Sequence, residues 1–239
     1  MNGLSETYKA VLFDKDGTLF DFRGTWDVWA ADFLPTLCDG DSDALNTLAQ
    51  AIGFDLSAGS FLPTSMAIAG TNRELSEVMA RALERDDVDS LEQHLSKSAA
   101  NAPLQPVLEL APYLQGLKDE GYKLGVMTND SEYGAGMHLK NAGVFELFDF
   151  VCGSDSGFGA KPDAEPLLAF CSHVKVDPFH TVMLGDSTHD LQAARAAGIA
   201  AVGVLTGVAR AAELAPHADA VLADIGELPD WFAQMSARK

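Results

Sequence analysis

Four segments of this chain each deliver residues able to hold a phosphate or a cation at the end of a short run, and that repeated form constrains the fold most. The apolar run Ala10-Val11-Leu12-Phe13 ends at Asp14-Lys15-Asp16-Gly17-Thr18. Lys123-Leu124-Gly125-Val126-Met127 ends at Thr128-Asn129-Asp130, and Thr181-Val182-Met183-Leu184-Gly185 ends at Asp186-Ser187-Thr188-His189-Asp190. The fourth, Gly157-Phe158-Gly159-Ala160-Lys161-Pro162, sets one cation on a glycine-rich loop. From residue 110 onward the periodicity predicts helices over 110–119, 132–141, 164–173 and 190–197. They alternate with strands over 123–127, 148–152, 181–184 and 200–205, and Val221-Leu222 reads as a last edge strand. Such alternation implies an α/β fold with a doubly wound parallel sheet. In those sheets ligands collect beyond the carboxyl ends of the strands, so the four segments are expected to share one crevice.

Between Leu19 and Pro106 the strand-like runs stop and helical spacing takes over. Trp26, Trp29, Ala30, Phe33, Leu34 and Leu37 recur at i, i+3, i+4 intervals, with Pro35 expected to kink or divide that helix. Leu45, Leu48, Ala49 and Ile52 continue the pattern, as do Leu75, Val78, Met79, Ala82 and Leu83, then Leu91 and Leu95. This predicts an all-helical insertion joined through hinges near residues 20–25 and 98–106.

The paired acids at the first run carry the chemistry. Ionised carboxylates near a strand end persist only when paired, hydrogen-bonded or bound to a cation. One can attack phosphorus while the other transfers protons. Each segment has a plainer reading: Asp-x-Asp-Gly as a solvated turn, Thr128-Asn129 as a cap, Lys161 as a loop lysine, Ser187-x-x-Asp190 as a capping pair. Their joint order is much harder to explain that way. Other signatures are absent: no GxxxxGK[ST], no GxGxxG opening a helix, no GxSxG elbow, no calcium loop and no zinc spacing. His189 reads as an exposed histidine in a first helical turn, and His94, His138, His173, His180 and His217 as surface positions. Cys152 reads as a buried small hydrophobe.

Asp14-x-Asp16-Gly17-Thr18, Thr128-Asn129, Lys161-Pro162 and Gly185-Asp186-Ser187-x-x-Asp190, in that order, resemble the four-motif signature of the haloacid dehalogenase superfamily. Within it, phosphoglycolate-phosphatase-like hydrolases are the closest likeness. The resemblance implies a Rossmann-like core over residues 1–20 and 103–239, with a helical cap over 21–102 inserted between the first two motifs. It implies that Asp14 is the nucleophile, Asp16 the general acid and base, and Thr128 and Asn129 the groups holding the phosphoryl oxygens. Lys161 would neutralise charge on nucleophile and phosphoryl group alike. Asp14, Asp186 and the backbone carbonyl of Asp16 would bind Mg²⁺, with Asp190 acting through water or by orienting Lys161. Arg73, in Gly70-Thr71-Asn72-Arg73-Glu74, falls where relatives contact substrate; a capped helix start with Arg73 solvated is the equal alternative. Lys15 departs from the apolar residue usual between the two acids. In related mutases a cap histidine serves the sugar hydroxyl, and that position falls at Trp26.

These residues imply a Mg²⁺-dependent phosphomonoesterase acting on a small phosphorylated metabolite. A sugar phosphomutase and a non-catalytic phosphate-binding module are the alternatives. A net charge of −19 over 239 residues argues against nucleic-acid and anionic-membrane partners. Positive potential at the site must therefore be local, from Lys161, Mg²⁺ and Arg73. Cys38, Cys152 and Cys171 make no disulfide pattern, and no leader or membrane-spanning run is expected, which suits the cytoplasm.

Overall fold

The computed structural model describes residues 8–237. The outermost residues of the expected core, and most of the segment read as lacking a leader, lie outside the described residues. Strand β1 (Ala10–Phe13) is wholly buried and runs parallel to β4 (Lys123–Met127) on one side and to β6 (Thr181–Gly185) on the other. With β5 (Phe150–Cys152), β7 (Ala200–Val204) and β8 (Ala220–Leu222) they form a six-stranded parallel sheet of order β5-β4-β1-β6-β7-β8. The chain moves outward from β1 to β5 and then returns to place β6 beside β1. That reversal opens a crevice at the carboxyl ends of β1 and β6.

The central strands are continuous apolar runs because helices cover both faces. One face packs α5 (Leu110–Asp119) and α10 (Leu228–Ala237) against Val11, Phe13, Leu124 and Val182. The other packs α7 (Glu165–Val174) and α8 (Thr188–Ala197) against Leu12, Met127 and Met183. Helix α6 (Glu132–Asn141) starts at a Ser131 cap immediately after β4, and α9 (Ala211–Leu214) is a single turn. The expected strand over 148–152 is shorter at its start. A 3-10 turn over Phe145–Leu147 precedes it, and the Asp149 carboxylate accepts from the Leu124 N–H at 2.9 Å, ending the turn against β4.

Residues 22–102 gather around a hydrophobic cluster of their own, centred on Leu34, Leu48, Met79, Leu91 and Leu95. Its helices are α1 (Val28–Leu37), α2 (Ser42–Ile52), α3 (Asn72–Ala82) and α4 (Val88–Ala99), preceded by a π-helical turn over Arg23–Asp27. One short antiparallel pair, β2 (Phe54–Asp55) with β3 (Ser60–Phe61), interrupts the helical pattern. Pro35 does not divide α1; it falls in the last turn, where the helix ends two residues later. The two chain crossings into this unit lie side by side. Phe20 bridges Pro106, the Asp21 N–H donates to Gln105 O at 2.7 Å, and the Val107 N–H donates to Leu19 O at 3.1 Å. Among the described residues no helix is long and apolar enough to cross a membrane.

Candidate active site

The carboxyl ends of β1, β4 and β6 meet the loop that carries Lys161, so all four motif segments converge. The Asp14 N–H extends the sheet ladder by donating to Leu184 O at 2.8 Å, which fixes its side chain at the strand end. The Lys161 ammonium stands between Asp14 Oδ1 at 2.5 Å and Asp190 Oδ1 at 2.6 Å, with all three side chains buried. Asp190 keeps its other oxygen for its own helix, accepting from the Ser187 N–H at 3.0 Å and the Ser187 hydroxyl at 2.7 Å. The capping pair read from Ser187-x-x-Asp190 is therefore real, and the same carboxylate also holds the lysine.

Asn129 secures Lys161 from the other side. Its amide donates to Lys161 O at 2.9 Å and to Ala69 O at 2.8 Å, while its carbonyl accepts from the Lys161 N–H at 2.9 Å. Both ends of that amide are committed to protein partners. Asn129 thus clamps the lysine loop, and its side chain is not a free donor for phosphoryl oxygens as the resemblance implied. The Thr128 hydroxyl accepts from the Asp130 N–H at 3.1 Å and retains its own proton to donate toward the cavity it lines.

Asp186 completes the cluster. Oxygens of Asp14, Asp186 and Asp190 lie within 4.8 Å of one another. Among the described residues Asp186 has no ion pair, since Lys161 is spent on the other two acids. The backbone makes room for Asp186 with glycine: a Cβ on Gly17 would sit 2.5 Å from its carboxyl, and one on Gly207 would collide with Oδ2. Gly17 also has a φ of +80°, which side-chain-bearing residues rarely adopt. Burial, with Lys161 countering and Asp190 and Asp16 adding, pushes Asp14 up to about 7. Burial, then Asp14 and Asp190, pushes Asp186 well above the carboxylate range. For Lys161 the two aspartates outweigh burial and hold the ammonium firmly protonated. These donors are all oxygen, crowded and short of positive charge. That set fits a hard divalent cation, which would be held by Asp14 and Asp186.

Lys15 explains itself in the structure. Although it lies between two site acids, its side chain is fully buried and turned away from the Asp14 cluster. Its ammonium pairs with Asp16 at 2.7 Å and Asp130 at 3.1 Å and donates to His138 Nδ1 at 2.9 Å. Because an ammonium can only donate, Nδ1 accepts, and Nε2–H of His138 donates to Ala99 O at 2.8 Å. His138 is therefore not a surface residue. It is fully buried, and burial together with Lys15 lowers its pKa, keeping it neutral. Burial would lower Lys15 as well, but Asp16 and Asp130 raise it above its ordinary value. Burial alone would raise Asp130; Lys15 and His138 hold it below the usual range.

Above this floor the helical unit closes a narrow cavity, partly open to solvent, lined below by Asp14, Asp16, Thr128, Lys161 and Asp186. His189, half-buried in the first turn of α8, also lines it. Arg73 does not. Its guanidinium pairs with Glu77 at 3.0 Å, Asp89 at 2.5 Å and Glu92 at 3.1 Å on the outer side of α3 and α4. Thr71 caps α3 in a box with Glu74, so the expected substrate contact at Arg73 gives way to a helix start with a surface ion-pair network. Its neighbour Asn72 is the residue that reaches the site, donating to Asp130 Oδ1 at 2.9 Å. The sequence reading assigns no site contact to Asn72 or His138, and to Asp130 only a place at the end of the second motif segment. A buried acid directly after Thr128-Asn129 was the available signal for Asp130; nothing local marked the other two.

Comparison with known proteins agrees with this geometry. A family model described as haloacid dehalogenase-like hydrolase matches residues 8–198. A phosphoglycolate phosphatase of Rhodospirillum rubrum is 30% identical over 231 residues, covering 94% of this chain and 90% of the relative. The pyrophosphatase PpaX of Bacillus velezensis is 32% identical over 201 residues, 82% of each chain. Among solved structures, a haloacid dehalogenase-like hydrolase from Bacteroides fragilis aligns with a TM-score of 0.68 and 25% identity, over 92% of this chain and 99% of that one.

The raised carboxyl pKa values set the pH dependence of cation binding. Asp14 titrates near 7 when folded and near 3.8 when unfolded, so its contribution to stability is complete below about pH 4 and lost as pH rises through about 7. A divalent cation competes with that proton. Added at about a hundredfold excess over its Kd, it should raise Tm by roughly 5–10 °C at pH 8 and much less at pH 5. Asp186→Asn should remove most of this shift in differential scanning fluorimetry; an equal shift at both pH values would contradict the assignment.

The Lys15 cluster makes a second prediction. Lys15→Met leaves Asp16 and Asp130 facing each other without a cation and should cost about 3–5 kcal/mol in urea denaturation. Lys15→Met combined with Asp130→Asn should recover a measurable part of that loss. Strict additivity of the two changes would show that the pair is not coupled.

Proposed function

The chain belongs to the haloacid dehalogenase-like hydrolases, and on that footing we propose that it is a Mg²⁺-dependent phosphomonoesterase working through an aspartyl-phosphate on Asp14. Its substrate is a small soluble phosphorylated metabolite, met in the cytoplasm. Residues 21–102 act as a cap over a core made of 1–20 and 103–239. The observation that carries this reading is the Lys161 ammonium held between Asp14 and Asp190 with Asp186 alongside. That arrangement, once a divalent cation displaces the proton on Asp14, would present an ionised nucleophile next to the charge needed to receive a phosphoryl group.

Asp14 attacks phosphorus as the bond to the ester oxygen breaks, and Asp16 delivers a proton to the departing alcohol. Asp16 then takes a proton from water as that water attacks the aspartyl-phosphate, releasing inorganic phosphate and restoring Asp14. Lys161 offsets negative charge on the nucleophile and the transferring oxygens, and the Thr128 hydroxyl donates to one of those oxygens. Lys15 holds Asp16 in place by its 2.7 Å ion pair. Mg²⁺, when bound to Asp14, Asp186 and the Asp16 carbonyl, supplies the charge that lets a phosphate dianion enter among carboxylates. The cap excludes bulk water and encloses the leaving group.

A sugar phosphomutase shares this core chemistry but calls for a cap histidine near the sugar. Trp26 occupies that position, and the adjacent His138 has both ring nitrogens engaged, by Lys15 and Ala99. Hydrolysis is therefore the better reading.

Phosphate release from a panel of phosphomonoesters, phosphoglycolate and sugar phosphates included, tests the proposal. Turnover should require Mg²⁺ and fall by about three orders of magnitude or more in Asp14→Asn. Undiminished turnover in that variant would overturn the nucleophile assignment.

A further inference from the structure

The floor of the cavity is built for phosphate, whereas its cap-side wall is built for something apolar. Trp26, Trp29, Phe61, Ile68, Leu75 and Leu95 form most of that wall. The two indoles meet edge to face at 5.4 Å, and Trp29 stacks on Phe33 at 4.8 Å, so the wall is braced from behind. Trp29 donates its indole N–H to the Ser98 hydroxyl at 3.0 Å. Its ring is therefore left to contact a ligand through apolar surface.

No lysine or arginine of residues 21–102 lines the cavity among the described residues. Arg73 is held outside by Glu77, Asp89 and Glu92. Behind Trp26, 5.2 Å from its ring, the Lys15 ammonium is already shared among Asp16, Asp130 and His138. Lys161 is spent on Asp14 and Asp190. The one cap amide at the cavity, Asn72, donates to Asp130 and Ser96. His189 belongs to the core side, one residue from Asp190. On the cap side, a second carboxylate on the substrate would thus lose its water against aromatic and aliphatic side chains with no uncommitted lysine or arginine to receive it.

We propose that the leaving group accepted by this site is an uncharged, apolar alcohol, aromatic or branched, and not a carboxylate-bearing one such as glycolate. The inference rests on the phosphomonoesterase reading and specifies its substrate class. An apolar alcohol would gain from contact with the wall without leaving a polar group unpaired.

Three alkyl phosphates test it: benzyl phosphate, propyl phosphate and phosphoglycolate, the last two similar in size and different in charge. With Mg²⁺, kcat/KM should be highest for benzyl phosphate and at least about tenfold lower for phosphoglycolate, the difference lying mainly in KM. Ile68→Arg, which adds a cation at a half-buried position of the wall, should narrow that ratio by raising phosphoglycolate turnover. Phosphoglycolate turned over as well as or better than benzyl phosphate would overturn the apolar reading and leave the phosphatase standing. Hydrolysis of none of the three would count against the phosphatase reading. Calorimetry then decides the cavity by itself: benzylphosphonate binding about tenfold tighter than phosphonoacetate would support it, and equal binding would overturn it.

Discussion

Everything at this site depends on how a protein of strongly negative charge keeps five carboxylates together at one crevice. Asp14, Asp16, Asp130, Asp186 and Asp190 all line the cavity, and among the described residues two lysines supply the ammonium groups paired with them. The structure divides the work. Lys161 joins Asp14 to Asp190, and Lys15 joins Asp16 to Asp130, so the two acids of the first motif answer to different cations. Asp186 is left over, cradled by glycines and without an ion pair among the described residues. Under the proposed function, that deficit of positive charge would make the cation and the phosphate depend on one another.

The same two lysines tie the helical unit to the sheet. Asn129 fixes the backbone of Lys161 and reaches Ala69, while His138 receives Lys15 and reaches Ala99 at the end of α4. Asn72 approaches from α3 to Asp130, itself a partner of Lys15. Cap position and charge arrangement are thus linked through named hydrogen bonds. Displacing the helical unit would break the contacts at Ala69, Asn72 and Ala99 together, so its position and the arrangement of the acids below depend on the same hydrogen bonds.

The fold was legible wherever one local pattern sufficed. Helices over 110–119 and 132–141 and the strand over 123–127 have the bounds read from the sequence: the strand is a nearly continuous buried run, the first helix carries an apolar stripe at Leu110, Leu114 and Leu117, and the second starts at its Ser131 cap. Convergence of the four motif segments followed from topology alone. Contacts made over long sequence separations were not legible. Lys15 looked like an anomaly between two acids, because its partners lie more than a hundred residues away at Asp130 and His138. His138 looked exposed, since nothing in α6 shows that Ala99 packs above it. Arg73 looked equally suited to substrate and to solvent, and the choice was made by Asp89 and Glu92 on the neighbouring helix. The Asn129 amide was read as a phosphate ligand because the loop that occupies both its ends begins thirty residues later.

The central claim is that Asp14, and no other acid of the crowded site, receives the phosphoryl group. Acid quenching of an Asp16→Asn variant during turnover, followed by proteolysis and mass spectrometry, tests it most directly. With its proton carrier removed, the variant should accumulate an acyl-phosphate on the peptide containing residue 14, reducible by borohydride to homoserine at that position. A phosphorylated peptide elsewhere, or turnover of a substrate with a good leaving group and no trapped peptide, would contradict the account.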